Sequence, residues 1–121
     1  MSYAKDNLAE VIAKINQNEK AQSVFVTNIA GKDVNWEMSF QFILDGEDPF
    51  YLTIKNKNIS LFEGINSNAL VILKGDLKAI IRICEGKGDF THAISREQIH
   101  IEKGKVMDVI RLTRAITIVL K

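Results

Sequence analysis

Trp36-Glu37-Met38-Ser39-Phe40-Gln41-Phe42-Ile43-Leu44-Asp45-Gly46, running on to Phe50-Tyr51-Leu52-Thr53-Ile54-Lys55, is the stretch from which the architecture can be worked out. Trp36, Met38, Phe40, Phe42 and Leu44 alternate with Glu37, Ser39 and Gln41, and Asp45-Gly46 turns the chain into a second alternating run. Period-two alternation across a Gly-containing turn predicts an antiparallel hairpin with one strongly apolar face. Asn56-Lys57-Asn58 reads as a tight polar turn into a third strand, Ile59-Ser60-Leu61-Phe62-Glu63. Outward from this meander, Ala69-Leu70-Val71-Ile72-Leu73 has no polar alternation and predicts a strand buried on both faces. Gln98-Ile99-His100-Ile101-Glu102 alternates again and predicts a fifth strand, ended by Gly104.

Helices are expected on either side of the strands. Leu8, Val11, Ile12 and Ile15 recur at helical spacing and predict an amphipathic helix from about Asp6 to Gln17. Ala21, Val24, Phe25, Asn28 and Ile29 share a helical face, with Gly31 as the stop. Asp76 is placed to cap a helix lined by Leu77, Ile80, Ile81 and Cys84 that leaves through Gly86, and Asp89 to cap a short helix over Phe90 to Ile94. The last helix, Val106 to Leu120, is apolar around most of its girth, and Asp108 and Lys121 complement its dipole. The sum is a single α+β domain over residues 1–121: one five-stranded, mostly antiparallel sheet covered on one face by helices.

Composition narrows the function. A net charge of +1 gives no footprint for nucleic acid. No apolar window is long enough for stable insertion in a membrane. The N-terminal Met1-Ser2-Tyr3-Ala4-Lys5-Asp6 lacks the apolar run of a signal peptide, and one lone cysteine, Cys84, suits a small buried hydrophobe in a reducing compartment. The expectation is a cytoplasmic protein. His92 and His100 have no partner at metal-ligand spacing, so no metal, no cofactor and no catalytic residue is assigned. An enzyme acting on a lipid thioester would have to use Cys84 or Ser95, and neither has a recognisable base.

From about Trp36 to Leu120 the chain resembles the sterol carrier protein 2 (SCP2) domain. The Trp36 strand, Gly75-Asp76-Leu77, Gly86-Lys87-Gly88-Asp89-Phe90, Ala93, Ile99-His100-Ile101 and Gly104 before an apolar last helix carry the resemblance by their order and spacing. Ser95-Arg96-Glu97-Gln98 departs from it where a second Gly-Lys pair is usual, and Val119-Leu120-Lys121 is not the Ser-Lys-Leu-like ending of the peroxisomal branch. The resemblance implies an apolar tunnel for a fatty acid, an acyl-CoA or a sterol, and hence noncatalytic lipid binding and transport.

On that expectation Met38, Phe40, Leu52, Ile54, Leu73 and Ile101 line the tunnel from the sheet, and Ile80 and Phe90 from the short helices. Val109, Ile110, Thr113, Ile116 and Leu120 line it from the last helix, whose charged edge offers Arg111 and Arg114 to a ligand head group, with Lys87 and Arg96 next. Thr113 and Thr117 favour a lining, since a hydroxyl in a dry core must find a partner. The alternative is a closed scaffold in which the apolar arc is packed core or is covered in a homodimer. Burying about 16 carbons at ~0.8 kcal/mol per CH₂ yields on the order of 12 kcal/mol gross, whereas an exposed ion pair adds ~0–1 kcal/mol. Chain length should set affinity and the head group should tune it.

Overall fold

The computed structural model describes residues 3–120. Tyr3 leads into α1, Ala4–Ile15, which starts and stops two residues before the expected bounds and buries Leu8, Val11, Ile12 and Ile15 in one stripe. A short α2, Glu19–Gln22, capped by the Asn18 side chain, passes through a 3₁₀ turn at Ser23–Phe25.

The second expected helix ends there. Val26–Ile29 forms β1, paired antiparallel with β2, Lys32–Asn35, across a two-residue turn at Ala30-Gly31. Both turn residues have positive φ, 52° and 82°, the geometry that matches strand twist in a two-residue hairpin. The helical spacing of Asn28 and Ile29 is overridden by β-branched Val26, Thr27, Ile29 and Val34, which favour an extended backbone.

The main sheet has five strands in the order β5-β4-β3-β6-β7. β3, Met38–Asp45, pairs antiparallel with β4, Phe50–Lys55, and β4 with β5, Asn58–Glu63. β6, Val71–Asp76, lies parallel to the other side of β3, and β7, Ile99–Lys103, pairs antiparallel with β6. Three of the four pairings are antiparallel, so the sheet is mixed but mostly antiparallel. Asn56 and Lys57, with φ of 52° and 66°, make the tight turn between β4 and β5. β6 buries Val71 and Leu73 but exposes Lys74, so the expectation of burial on both faces fails: helices cover one face only.

On the covered face Phe40, Phe42, Phe50 and Leu52 are fully buried, and Phe42 stacks on its cross-strand partner Phe50 at 5.0 Å. Each such side chain contributes roughly 1.5–3 kcal/mol through burial. On the opposite face Gln41, one of the polar residues of the alternation, is 1% exposed. The crossover from β5 to β6 passes over it: Gln41 Nε2 donates to the carbonyls of Phe50 and Gly64, and Oε1 accepts from the Asn66 N–H at 2.7 Å. One side chain thus satisfies its own buried amide and fixes the loop that carries the chain from one half of the sheet to the other.

Two helices lie between β6 and β7. Asp76 caps α3, Leu77–Cys84, by accepting from the Lys78 N–H, and Asp89 caps α4, Phe90–Ser95, by accepting from the His92 N–H at 2.8 Å. Gly75, with φ of 154°, lies where a Cβ would collide with the backbone of Gln98 and Ile99 on β7, so a side chain there would part the two strands. α5, Val106–Leu120, has the expected bounds and buries Val109, Leu112, Ala115 and Ile116; Lys121 lies outside the described residues. α1 packs against both α3 and α5. At its end the Asn16 amide exchanges two hydrogen bonds with the backbone of Ile59 on the outermost strand β5, at 2.9 and 2.8 Å.

Candidate functional site

Two cavities are large enough for a small molecule. One, of about 480 Å³, lies beside the start of α1 and is lined by Tyr3, Lys5, Gly46, Glu47, Asp48, Pro49, Glu63 and Gly64. Three of its charged groups are engaged with the protein itself: the Glu47 carboxylate accepts from the N–H groups of Ala4 and Lys5, and Lys5 pairs with Glu63.

The other, of about 410 Å³, is a groove between α5 and the turn joining α3 to α4. α3 ends in a tight stop, where the Gly86 N–H bonds the Ile83 carbonyl and the Lys87 N–H bonds the Arg82 carbonyl. Gly86-Lys87-Gly88-Asp89 then spans to α4 as one rim, and a Cβ at Gly86 or Gly88 would meet nothing within 4 Å, which leaves that rim open. Opposite stand Thr113, Ile116, Thr117 and Leu120, which share one face of α5 at helical spacing. Ile83 closes the floor from α3 and His92 the end from α4.

The groove therefore gathers Thr113, Ile116 and Leu120 of the expected lining, with Thr117 and Lys87 beside them. Phe40, Leu52, Ile54, Leu73, Ile80, Phe90 and Val109 lie instead in the continuous hydrophobic core between sheet and helices, with Met38 and Ile101 half-buried against it. Ile110 is half-buried on α5. Ile83 and His92 line the groove although the sequence assigns them no such part; Ile83 follows Ile80 at helical spacing, and that was the one available sign.

The expected head-group residues have other positions. Arg111 lies with its guanidinium carbon 5.0 Å from the centre of the Trp36 ring and donates to the carbonyl of Val24 at 2.9 Å. Phe25 stacks against Trp36 at 6.0 Å. Arg111 thus fastens α5 to the 3₁₀ turn that leads into β1. Arg114 is exposed on α5, and Arg96 is exposed after α4. At the groove itself the Lys87 ammonium lies 3.9 Å from the Glu85 carboxylate, and His92 Nδ1 lies 3.2 Å from an Asp89 carboxylate oxygen.

Cys84 is buried at the end of α3, and its burial, helped by Glu85 and Glu10, pushes the thiol up to about 12. A thiol so protonated is a poor nucleophile at neutral pH. Ser95 is exposed at the end of α4. Among the described residues no three of His, Cys, Asp and Glu gather as they would around a metal ion. No helix among them is long and apolar enough to cross a membrane.

The same arrangement of sheet, crossover and capping helices occurs in solved structures. Sterol carrier protein 2 from Aedes aegypti in complex with palmitate matches 100% of both chains with a TM-score of 0.60 and 22% identity. The chain has the sterol carrier protein 2 fold. Palmitated SCP2L2 from Aedes aegypti matches 95% of each chain with a TM-score of 0.64 and 12% identity. A stereoselective inverting sec-alkylsulfatase from Pseudomonas sp. contains the SCP2 fold within a longer chain: the TM-score is 0.54 at 17% identity over 66% of this protein, which spans only 12% of the sulfatase. No protein-family model and no curated protein sequence matches the chain.

Proposed function

We propose that this protein binds and carries a long-chain lipid, a fatty acid, fatty acyl-CoA or sterol-like molecule, without transforming it. The observation that carries the reading is the groove on α5, where Ile83, Ile116 and Leu120 supply apolar lining beside a rim that contains Gly86 and Gly88. The fold supports it, since two structures of the same fold hold palmitate. The ligand enters over Gly86 to Asp89, and its chain lies along the face of α5 that carries Thr113, Ile116 and Leu120. A protonated Cys84 and an exposed Ser95 without a base argue against a lipid-thioester enzyme. The lone thiol suits a reducing compartment, and on that basis we place the carrier in the cytoplasm.

Calorimetric titration with saturated chains of about 10 to 16 carbons tests the proposal. Affinity should rise with each CH₂ by up to ~0.8 kcal/mol where that carbon is fully buried. Affinity independent of chain length, or no binding with a mass of twice the monomer in solution, would replace the carrier with the closed scaffold.

A further inference from the structure

Thr113 stands out from every other buried polar group. Its Oγ1 is the one buried side-chain oxygen or nitrogen among the described residues that has no hydrogen-bond partner. The fold satisfies such groups elsewhere at some length, as Gln41 shows with its contacts to three backbone groups. A threonine on a helix can bond back to the carbonyl four residues earlier, and Thr113 does not. A buried hydroxyl without a partner is destabilising, so an apolar residue of the same shape would serve a purely structural wall better. Thr113 lies in the wall of the groove, between Ile83 and Ile116.

The charge pattern of the groove adds a second constraint. The formal charges that line it are those of Lys87 and Asp89, which cancel; Lys87 faces Glu85, and the Asp89 carboxylate accepts from the His92 backbone N–H. Arg111, two residues before Thr113, is spent on Trp36 and the Val24 carbonyl, and the adjacent Arg114 is exposed. A carboxylate brought here would lose water and meet Asp89 as well as Lys87, so it would gain no net charge attraction for that loss. An alcohol or carbonyl oxygen would need only one hydrogen bond.

We propose that Thr113 determines ligand specificity in this groove: its hydroxyl holds the single polar oxygen of an uncharged long-chain lipid, which the groove prefers to the corresponding carboxylate. The inference rests on the lipid-carrier reading and narrows it.

Titration with 1-dodecanol and with dodecanoate at pH 7, for the wild type, Thr113→Val, Thr113→Ser and Lys87→Gln, tests it. Dodecanol should bind wild type more tightly than dodecanoate. Its affinity should change less than twofold between low and high salt, as expected when no ion pair forms. Thr113→Val should cost dodecanol about three- to tenfold in affinity, the worth of one hydrogen bond, while leaving the unfolding midpoint of the ligand-free protein unchanged or higher. Thr113→Ser should stay within about twofold of wild type. A lower midpoint for Thr113→Val, or full dodecanol affinity in that variant, would make Thr113 structural and overturn the inference. Tighter binding of dodecanoate, lost in Lys87→Gln, would make the groove an anion site and overturn the inference while sparing the carrier. Failure of both ligands to bind the wild type would remove the carrier reading, and this inference with it.

Discussion

Cys84 occupies the last position of α3, where burial raises its thiol from an ordinary 9.0 to about 12. The folded state therefore favours the neutral form. Stability from this group is complete below pH 9 and is lost as pH rises toward 12, where the unfolded chain ionises and the folded one resists. Denaturant unfolding across that range should show wild type losing up to about 4 kcal/mol more than Cys84→Ala, the equivalent of three pKa steps. Equal slopes would mean that the thiol is open to solvent. Arg111 carries a second prediction. Arg111→Met should lower stability by about 1–3 kcal/mol through loss of the Trp36 contact and the carbonyl bonds, and should change Trp36 emission. Lipid affinity should stay within about twofold, because Arg111 points away from the groove toward β1. Burial of Cys84 could be read from its apolar neighbours in Ile80-Ile81-Arg82-Ile83, but the position of Arg111 could not. A charge on the edge of a helix reads as solvated, and the aromatic ring and carbonyls that hold it lie more than seventy residues away.

α5 is the element on which structure and proposed function meet, since Val109, Leu112 and Ala115 face the core while Thr113, Thr117 and Leu120 face the groove. Ile116 belongs to both. Ile116→Trp should push the indole into the groove, weakening lipid binding at least tenfold while moving the unfolding free energy by less than ~1 kcal/mol. A loss of ~1–3 kcal/mol or more with lipid binding intact would show an overpacked core instead. The bounds of α5, both capped short helices and the β3-β4-β5 meander were legible because each has its own period and its own turn or cap residues. The β1–β2 hairpin was not: over Ala21 to Ile29 the apolar positions fit a helix, and only pairing with Lys32–Asn35 decides for strand. The groove was half legible. Its α5 wall follows from helical spacing, whereas its rim is an interhelical turn whose glycines signal an opening only once α5 lies across from them.

At the scale of the molecule, helices cover one face of the sheet and the β5–β6 crossover covers part of the other, held down by Gln41. That coverage leaves two outer strands, and β5 is the one whose start is occupied by Asn16, at Ile59. The Asn16 amide takes both the N–H and the C=O of Ile59, so it stands where the backbone of an incoming strand would pair. Asn16→Ala should free both groups at a cost of about 1–3 kcal/mol, and light scattering of a concentrated, mildly heated sample should rise sooner than for wild type. Scattering no faster than wild type would mean that the rest of the edge is sufficiently guarded. The consequence concerns proteostasis more than affinity. A protein that must keep a hydrophobic slot accessible throughout its lifetime cannot rely on a sealed exterior to avoid polymerising. On the proposed carrier reading, plugging the strand border with a side chain from the end of the first helix places self-association and cargo uptake on separate surfaces, so that one can be suppressed without closing the other.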